Sequence, residues 1–169
     1  MLIYHPANDV YHCVFRMLRI LRFGGNRTYT VAQIKVLDFL LVFPQAVLLM
    51  KLPIEIKVKV RKDLSQYRGV YNSVPNTEKN FRQHNAFQVP ALGALAKEGF
   101  LDENQFLSGL IVGTSKKVSE IVADRIEKRN QEEKHLMKIV VEDLGNMSFA
   151  GGDGLKSRFE SLEYNYEII

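Results

Sequence analysis

The stretch Thr30–Phe43, TVAQIKVLDFLLVF, decides the fold class. Apolar side chains recur at helical spacing and also fill most other positions, which predicts a helix that is apolar almost all round. Thr30 suits the N-cap position, and Pro44 ends or kinks the helix because it lacks a backbone donor. Such a helix is buried on several sides, or exposed in isolation and covered by a partner.

The segments on either side of this helix also indicate helices. Asp9 can cap a helix that runs to Phe23, with Gly24-Gly25 as its stop. One face of that helix is apolar, and the opposite face carries Arg16, Arg19 and Arg22. Downstream, Pro44 suits the first turn of a short helix that reaches about Met50.

The remaining elements are shorter, and one of them is ambiguous. Ile54–Val60 alternates strictly between apolar and charged residues, which favours a short strand, although a helix stays open. Further helices are predicted over the ranges 63–73, 78–84, 90–98, 118–131 and 132–144, with one long helix as the alternative for the last two. We therefore expect a mainly α, compact multi-helix domain over residues 1–154 with few short strands.

A winged-helix-like part is one interpretation of residues 78–115. The sequence PALGALAKEGFLD, residues 90–102, places a helix, a glycine stop and a short apolar strand in succession. The alternative is an ordinary helix that ends at a glycine.

Composition limits the class of protein. The 169 residues are 46% apolar and 25% charged, which is the balance of a globular domain. A single cysteine, Cys13, cannot form an internal disulfide, and no secretory signal peptide is visible, so we expect a cytoplasmic protein. The most apolar stretch, residues 36–50, is shorter than a membrane-spanning helix, which needs about 20 residues. Membrane binding is not predicted.

No sequence motif indicates an enzyme, a metal site or a bound cofactor. The four histidines are scattered or merely adjacent to Cys13, and a buried thiol is the better interpretation of that cysteine. The glycine-rich turn 151–154 lacks the Lys-Ser/Thr of a phosphate-binding loop.

Charge is distributed unevenly and suggests partner surfaces. The net charge is +8 over residues 1–82 and −4 over residues 83–169. The candidate contacts to an acidic protein or to phosphate are Arg16, Arg19, Arg22, Lys57, Lys59 and Arg61. The alternative is a set of solvated side chains.

The aromatic tail 155–169 follows the glycine-rich turn. Leu155, Phe159 and Leu162 have helical spacing, whereas Tyr164 and Tyr166 alternate as in a strand. We expect a short helix and then an extended end. The candidates for docking this tail on the domain or on a partner are Phe159, Leu162, Tyr164 and Tyr166.

Four blocks, HPANDVYHCVFRMLRIL, IKVLDFLLVFP, PALGALAKEGFLD and GLKSRFESLEYNYE, occur in this order between His5 and Glu167. Together they resemble the small middle component, type 5, of bacterial ABC three-component systems, as found in Lamassu-like operons that defend against plasmids and phages. Tyr166-Glu167 departs from the Tyr-Asp ending that is common in this family.

The resemblance implies a non-enzymatic subunit that couples an SMC/Rad50-like ABC ATPase to an effector, commonly a nuclease. It brings no catalytic residues, and contact with DNA would come through the complex. The alternative from another class is a winged-helix DNA-binding regulator. That alternative lacks a basic recognition helix, because residues 92–98 hold one lysine and one glutamate.

Overall fold

The computed structural model describes residues 9–68 and 77–164, and the side chains of residues 163 and 164 lie outside the description. Its α-helices are α1 Val10–Gly24, α2 Val31–Val42, α3 Pro44–Leu49, α4 Ile54–Asp63, α5 Thr77–Lys97, α6 Glu103–Leu107, α7 Glu120–Glu132, α8 Lys134–Met137 and α9 Leu155–Tyr164. Two short strands, β1 Tyr29–Thr30 and β2 Leu110–Ile111, pair in antiparallel fashion. The mainly α, compact fold expected from the sequence is confirmed.

Helix α2 is the centre of the core. The Thr30 hydroxyl caps it by accepting a hydrogen bond from the Gln33 amide at 3.0 Å. All of its residues from 33 to 41 are buried except Lys35, so the prediction of a helix covered on several sides is confirmed. It contacts α1, α5 and α9.

Helix α1 has the predicted boundaries. The Asp9 carboxylate accepts from the His12 amide at 3.0 Å, and Gly25 ends the helix with a φ of 66° that favours glycine. Cys13, Met17 and Ile20 on its apolar face are fully buried.

The strand predicted over Ile54–Val60 is wrong, because these residues form helix α4. Ile56 and Val60 stand four residues apart and turn toward the core, and Leu64 extends the same stripe. The other two apolar residues of the alternating pattern, Ile54 and Val58, are exposed. The predicted helix over 63–73 is also wrong where it is described, since α4 ends at residue 63 and a single 3₁₀ turn covers 65–67.

Helix α5 unites the two helices predicted over 78–84 and 90–98. It continues through Pro90, whose ring is exposed to solvent. Gly99 ends it with a φ of 78°, and the Phe100 amide donates to the Leu95 carbonyl at 2.9 Å.

A small antiparallel sheet follows α5. Leu101 pairs with Gly113, and the Asp102 amide donates to the Val112 carbonyl at 2.9 Å. On the other side of the sheet, β2 pairs with β1, and Ile111 lies opposite Tyr29. The order across the sheet is β1, β2, Leu101.

The C-terminal half closes the core. After α7 and α8, a wide π-helical segment, Lys138–Leu144, buries an apolar stripe of Ile139, Val140, Val141 and Leu144. Helix α9 then packs on α2 and α5. The predicted extended end after Tyr164 lies outside the described residues.

Candidate interaction surfaces

The three arginines predicted to share one face of α1 do not form one exposed surface. The Arg16 Nε atom donates to the Asp38 carboxylate at 2.7 Å, and the Arg19 Nη2 atom lies 2.6 Å from the Glu133 carboxylate. Both side chains are buried, and the Arg19 Nε atom also donates to the Asn130 side chain at 2.8 Å. Arg22 remains exposed. The interpretation of Arg16 and Arg19 as members of an exposed basic face is therefore wrong.

Asp38 is the centre of a buried polar cluster that joins α1, α2 and α5. Its carboxylate lies 2.6 Å from His84 Nε2 and accepts from Gln88 Nε2 at 2.9 Å, besides the Arg16 pair. Burial by itself would raise the pKa of Asp38. The hydrogen bond to His84 and the Arg16 charge outweigh burial and lower this pKa below its ordinary value. The cluster fixes the relative positions of three helices.

Cys13 belongs to the same cluster and is unsuited to nucleophilic chemistry. Its Sγ atom lies 3.6 Å from the Asp38 carboxylate. Burial, and then the Asp38 charge, raise the pKa of this thiol far above its usual range, so the thiolate is scarce at neutral pH. Within residues 9–68 and 77–164, no group of three or more His, Cys, Asp and Glu side chains is arranged to hold a metal ion.

A mixed apolar and basic surface lies on α4 and the end of α3, and we call it the α4 face. It consists of Leu49, Ile54, Lys57, Val58 and Arg61. The side chains of Ile54 and Val58 are 78% and 62% exposed, and Leu49 is 45% exposed. Ile54, Val58 and Arg61 share one side of the helix because they are spaced four and three residues apart.

The three basic candidates of this region differ in their surroundings. Lys59 lies to one side and pairs with Asp143 of the π-helical segment at 2.9 Å, and this pairing raises the pKa of Lys59. The side chains of Lys57 and Arg61 are exposed and make no ion pair with the described part of the chain. Lys59 therefore contacts the rest of the domain, whereas Lys57 and Arg61 belong to the exposed surface of α4.

A second surface, the α1/α7 groove, was not predicted from the sequence. It is an open groove of about 680 Å³, and its lining includes Leu41 and Val42 of α2. Its principal lining residues are Tyr11, Phe15 and Arg19 of α1 with Val122, Arg125 and Arg129 of α7. The one sequence feature that could have indicated it is the position of Tyr11 and Phe15 outside the apolar stripe of α1.

The tail candidates lie partly in the core. Phe159 is buried, with its ring centroid 5.4 Å from that of Phe39 and 5.0 Å from that of Phe81. Leu162 is also buried. Tyr164 belongs to α9, but its side chain lies outside the described residues, as does Tyr166.

Comparison with protein families decides the relationship of this chain. Residues 2–167 match the model of the ABC-three component (ABC-3C) system Middle Component 5. The chain belongs to this family. The middle component is thus an accessory subunit of an ABC three-component system. No curated protein and no solved structure matches it.

No helix in the described part of the middle component is both long enough and apolar enough to cross a membrane.

Proposed function

We propose that the chain is a non-enzymatic bridging subunit of a bacterial defence complex against plasmids and phages. In this role it couples an SMC-like ABC ATPase to an effector nuclease in the cytoplasm. The family relationship supports an accessory role in a three-component system. The α4 face is the observation that carries the binding role.

The α4 face has the properties of a protein-binding surface. Ile54 and Val58 expose apolar surface one turn apart on α4, and Leu49 at the end of the contacting helix α3 is also exposed. Exposed apolar surface of this kind is typical of a site that a partner covers. Basic side chains border it, so an acidic partner surface would be attracted and oriented. The apolar centre contributes affinity, and the charges contribute specificity and association rate.

The state of Cys13 supports the non-enzymatic part of the proposal. This thiol is fully buried and held in its protonated form, and the nearby His84 is bonded to the Asp38 carboxylate. A cysteine nucleophile needs an accessible thiolate with a base beside it. The Cys13–His84–Asp38 neighbourhood therefore serves the fold.

Reconstitution of the three components tests the bridging role. The ATPase and the effector are mixed with and without the middle component and separated by size-exclusion chromatography. We expect the effector to elute with the ATPase only when the middle component is present. Association of ATPase and effector to the same extent without it would refute the bridging role.

A winged-helix DNA-binding regulator is the second candidate, and the sheet order favours it. The order of the elements is that of a winged helix: β1 precedes α2, and α5 is followed by the strand at Leu101 and the returning strand β2. Residues 43–76 are inserted between α2 and α5. Near the start of α5, Lys79 and Arg82 are exposed, but Arg82 pairs with the acidic Glu78, and the last turn of the helix carries Lys97. This mixed charge favours protein binding over autonomous reading of DNA.

Fluorescence anisotropy with duplex DNA separates the two candidates. A regulator should bind the promoter of its own operon in the nanomolar range and discriminate against unrelated sequence by about a thousandfold or more. The bridging subunit should bind either duplex weakly and lose this binding as salt is raised.

A further inference from the structure

The α1/α7 groove is a second surface, and it shares no residue with the α4 face. Tyr11 on its rim is 85% exposed, and Ile121, 69% exposed, lies one residue before the lining residue Val122. Tyr11 borders a groove that is also lined by the apolar side chains of Phe15, Leu41, Val42 and Val122, and this combination is typical of a surface that a partner covers.

We propose that this groove binds an amphipathic helix with an acidic flank, presented by another protein. Among the described residues, the aromatic and basic lining consists of tyrosine, phenylalanine, histidine and arginine, and lysine does not contribute. Tyrosine and arginine dominate the strongly contributing positions of protein interfaces, whereas lysine is depleted there. The α4 face, whose charge comes partly from lysine, has a different chemical character.

The dimensions of the groove suit a helix. Arg19 of α1 contacts Asn130 of α7, and Arg27 beyond α1 donates to the Val141 carbonyl beyond α7 at 2.7 Å. The two helices thus lie side by side. From Tyr11 to Arg19 the groove extends over about 12 Å, or two helical turns. A docked helix would place apolar residues i, i+3 or i+4, and i+7 along this length.

The floor of the groove is fixed before any partner binds. Arg16 is held by Asp38, and Glu133 forms ion pairs with both Arg19, at 2.6 Å, and Arg129, at 2.8 Å. A prearranged surface loses less conformational freedom on binding, so more of the contact energy appears as affinity.

Arg125 sets the sign of the partner's charge. Its side chain is exposed at the rim and makes no ion pair or hydrogen bond with the described residues. The other lining arginines already have carboxylate partners. An acidic residue on the flank of the docked helix would supply the missing partner of Arg125.

Two designed peptides of about 16 residues, long enough to form a helix, test the proposal by fluorescence anisotropy. Both carry the same stripe of leucines. One peptide has glutamates on the flanks of this stripe, and the other has lysines there. We expect the acidic peptide to bind about fivefold or more tightly than the basic one. Arg125→Glu should reverse this preference.

Two further variants complete the test, and circular dichroism verifies their fold. Tyr11→Ala should weaken the acidic peptide about tenfold, because an aromatic anchor is lost from the rim. The matched control is Lys128→Glu, the same charge reversal on an exposed residue of α7 that does not line the groove. It should change the preference by less than about twofold.

Several results would overturn this assignment. They are absence of binding by the acidic peptide, equal binding of both peptides, or equal effects of Arg125→Glu and Lys128→Glu. Displacement of the peptide by duplex DNA in an Arg125-dependent manner would instead make the groove a nucleic-acid surface. A dimer that dissociates on Tyr11→Ala would make a second copy its occupant. Because the peptides do not involve the α4 face, failure here leaves the binding role proposed for that face standing.

Discussion

At the scale of single residues, Asp38 is the buried charge on which three helices converge. Replacing it with asparagine removes the carboxylate and leaves the buried Arg16 guanidinium without its counterion. We expect Asp38→Asn to lower the free energy of unfolding by about 3–5 kcal/mol. Urea unfolding followed by circular dichroism measures this change. The control, Asp124→Asn on an exposed position of α7, should change it by less than about 0.5 kcal/mol.

The pKa of the same carboxylate predicts how stability depends on pH. Because the folded pKa of Asp38 is lower than its unfolded value, its contribution is complete above the unfolded pKa of about 3.9. The contribution is lost as the pH falls from there through the folded pKa. The stability difference between the wild type and Asp38→Asn should therefore be constant from pH 7 to about 5 and shrink below about 4. A constant difference down to pH 3 would contradict the assigned ion pair.

The sequence identified the arginines of α1 but not their environment. Helical spacing placed Arg16 and Arg19 opposite the apolar stripe, which usually means solvent. Their carboxylate partners, Asp38 and Glu133, lie 22 and 114 residues away along the chain. Periodicity within one helix carries no information on such tertiary partners, so the burial could not be predicted.

At the scale of elements, α5 tests how a helix tolerates an internal proline. Pro90 has no N–H to donate to the carbonyl of Ala86, four residues earlier, and its exposed ring contributes little packing. Pro90→Ala should therefore raise the free energy of unfolding by about 1–3 kcal/mol. This range already subtracts the conformational entropy that the unfolded chain gains when the proline is removed. Thermal unfolding measures the change. A lower melting temperature would show that the proline ring has a packing role.

Helix α9 is held by an aromatic contact that links three helices. The Phe159 ring packs edge-on against Phe39 of α2 and contacts Phe81 of α5. Phe159→Ala should cost about 3–5 kcal/mol, because it opens a cavity at this junction. The exposed neighbour Glu160→Ala serves as control and should be nearly neutral. Equal melting temperatures for the two variants would mean that α9 is an appendage.

Sequence patterns predicted the elements with strong caps and failed where two periods overlapped. Asp9 and Thr30 marked the starts of α1 and α2 correctly, since each side chain accepts an amide hydrogen bond at its helix start. In α4, apolar residues at every second position satisfy both a strand and part of a helical stripe. The segment forms a helix because this conformation packs Ile56, Val60 and Leu64 into the core on one side. Ile54 and Val58 are left exposed, and they form the α4 face.

At the scale of the whole molecule, the fold presents two surfaces on a core fixed by buried ion pairs. One buried apolar cluster includes Cys13 of α1 and Leu162 of α9. The α4 face is apolar with a basic border, and the α1/α7 groove is aromatic and arginine-rich. A subunit that bridges two partners requires separate surfaces of this kind, and different chemistry at each would keep the partners distinct.

The most direct test of the central claim is the affinity of the middle component for the SMC-like ATPase, which we propose as the partner that the α4 face binds. Biolayer interferometry would compare the wild type with Ile54→Asp/Val58→Asp, and with Leu107→Asp as matched control. Leu107 is an equally exposed apolar residue, 79% exposed on α6, outside the α4 face. We predict that the double variant binds at least about thirtyfold more weakly, the loss of a hot spot, whereas Leu107→Asp binds like the wild type. Equal affinity of all three proteins for the ATPase would contradict the role assigned to the α4 face.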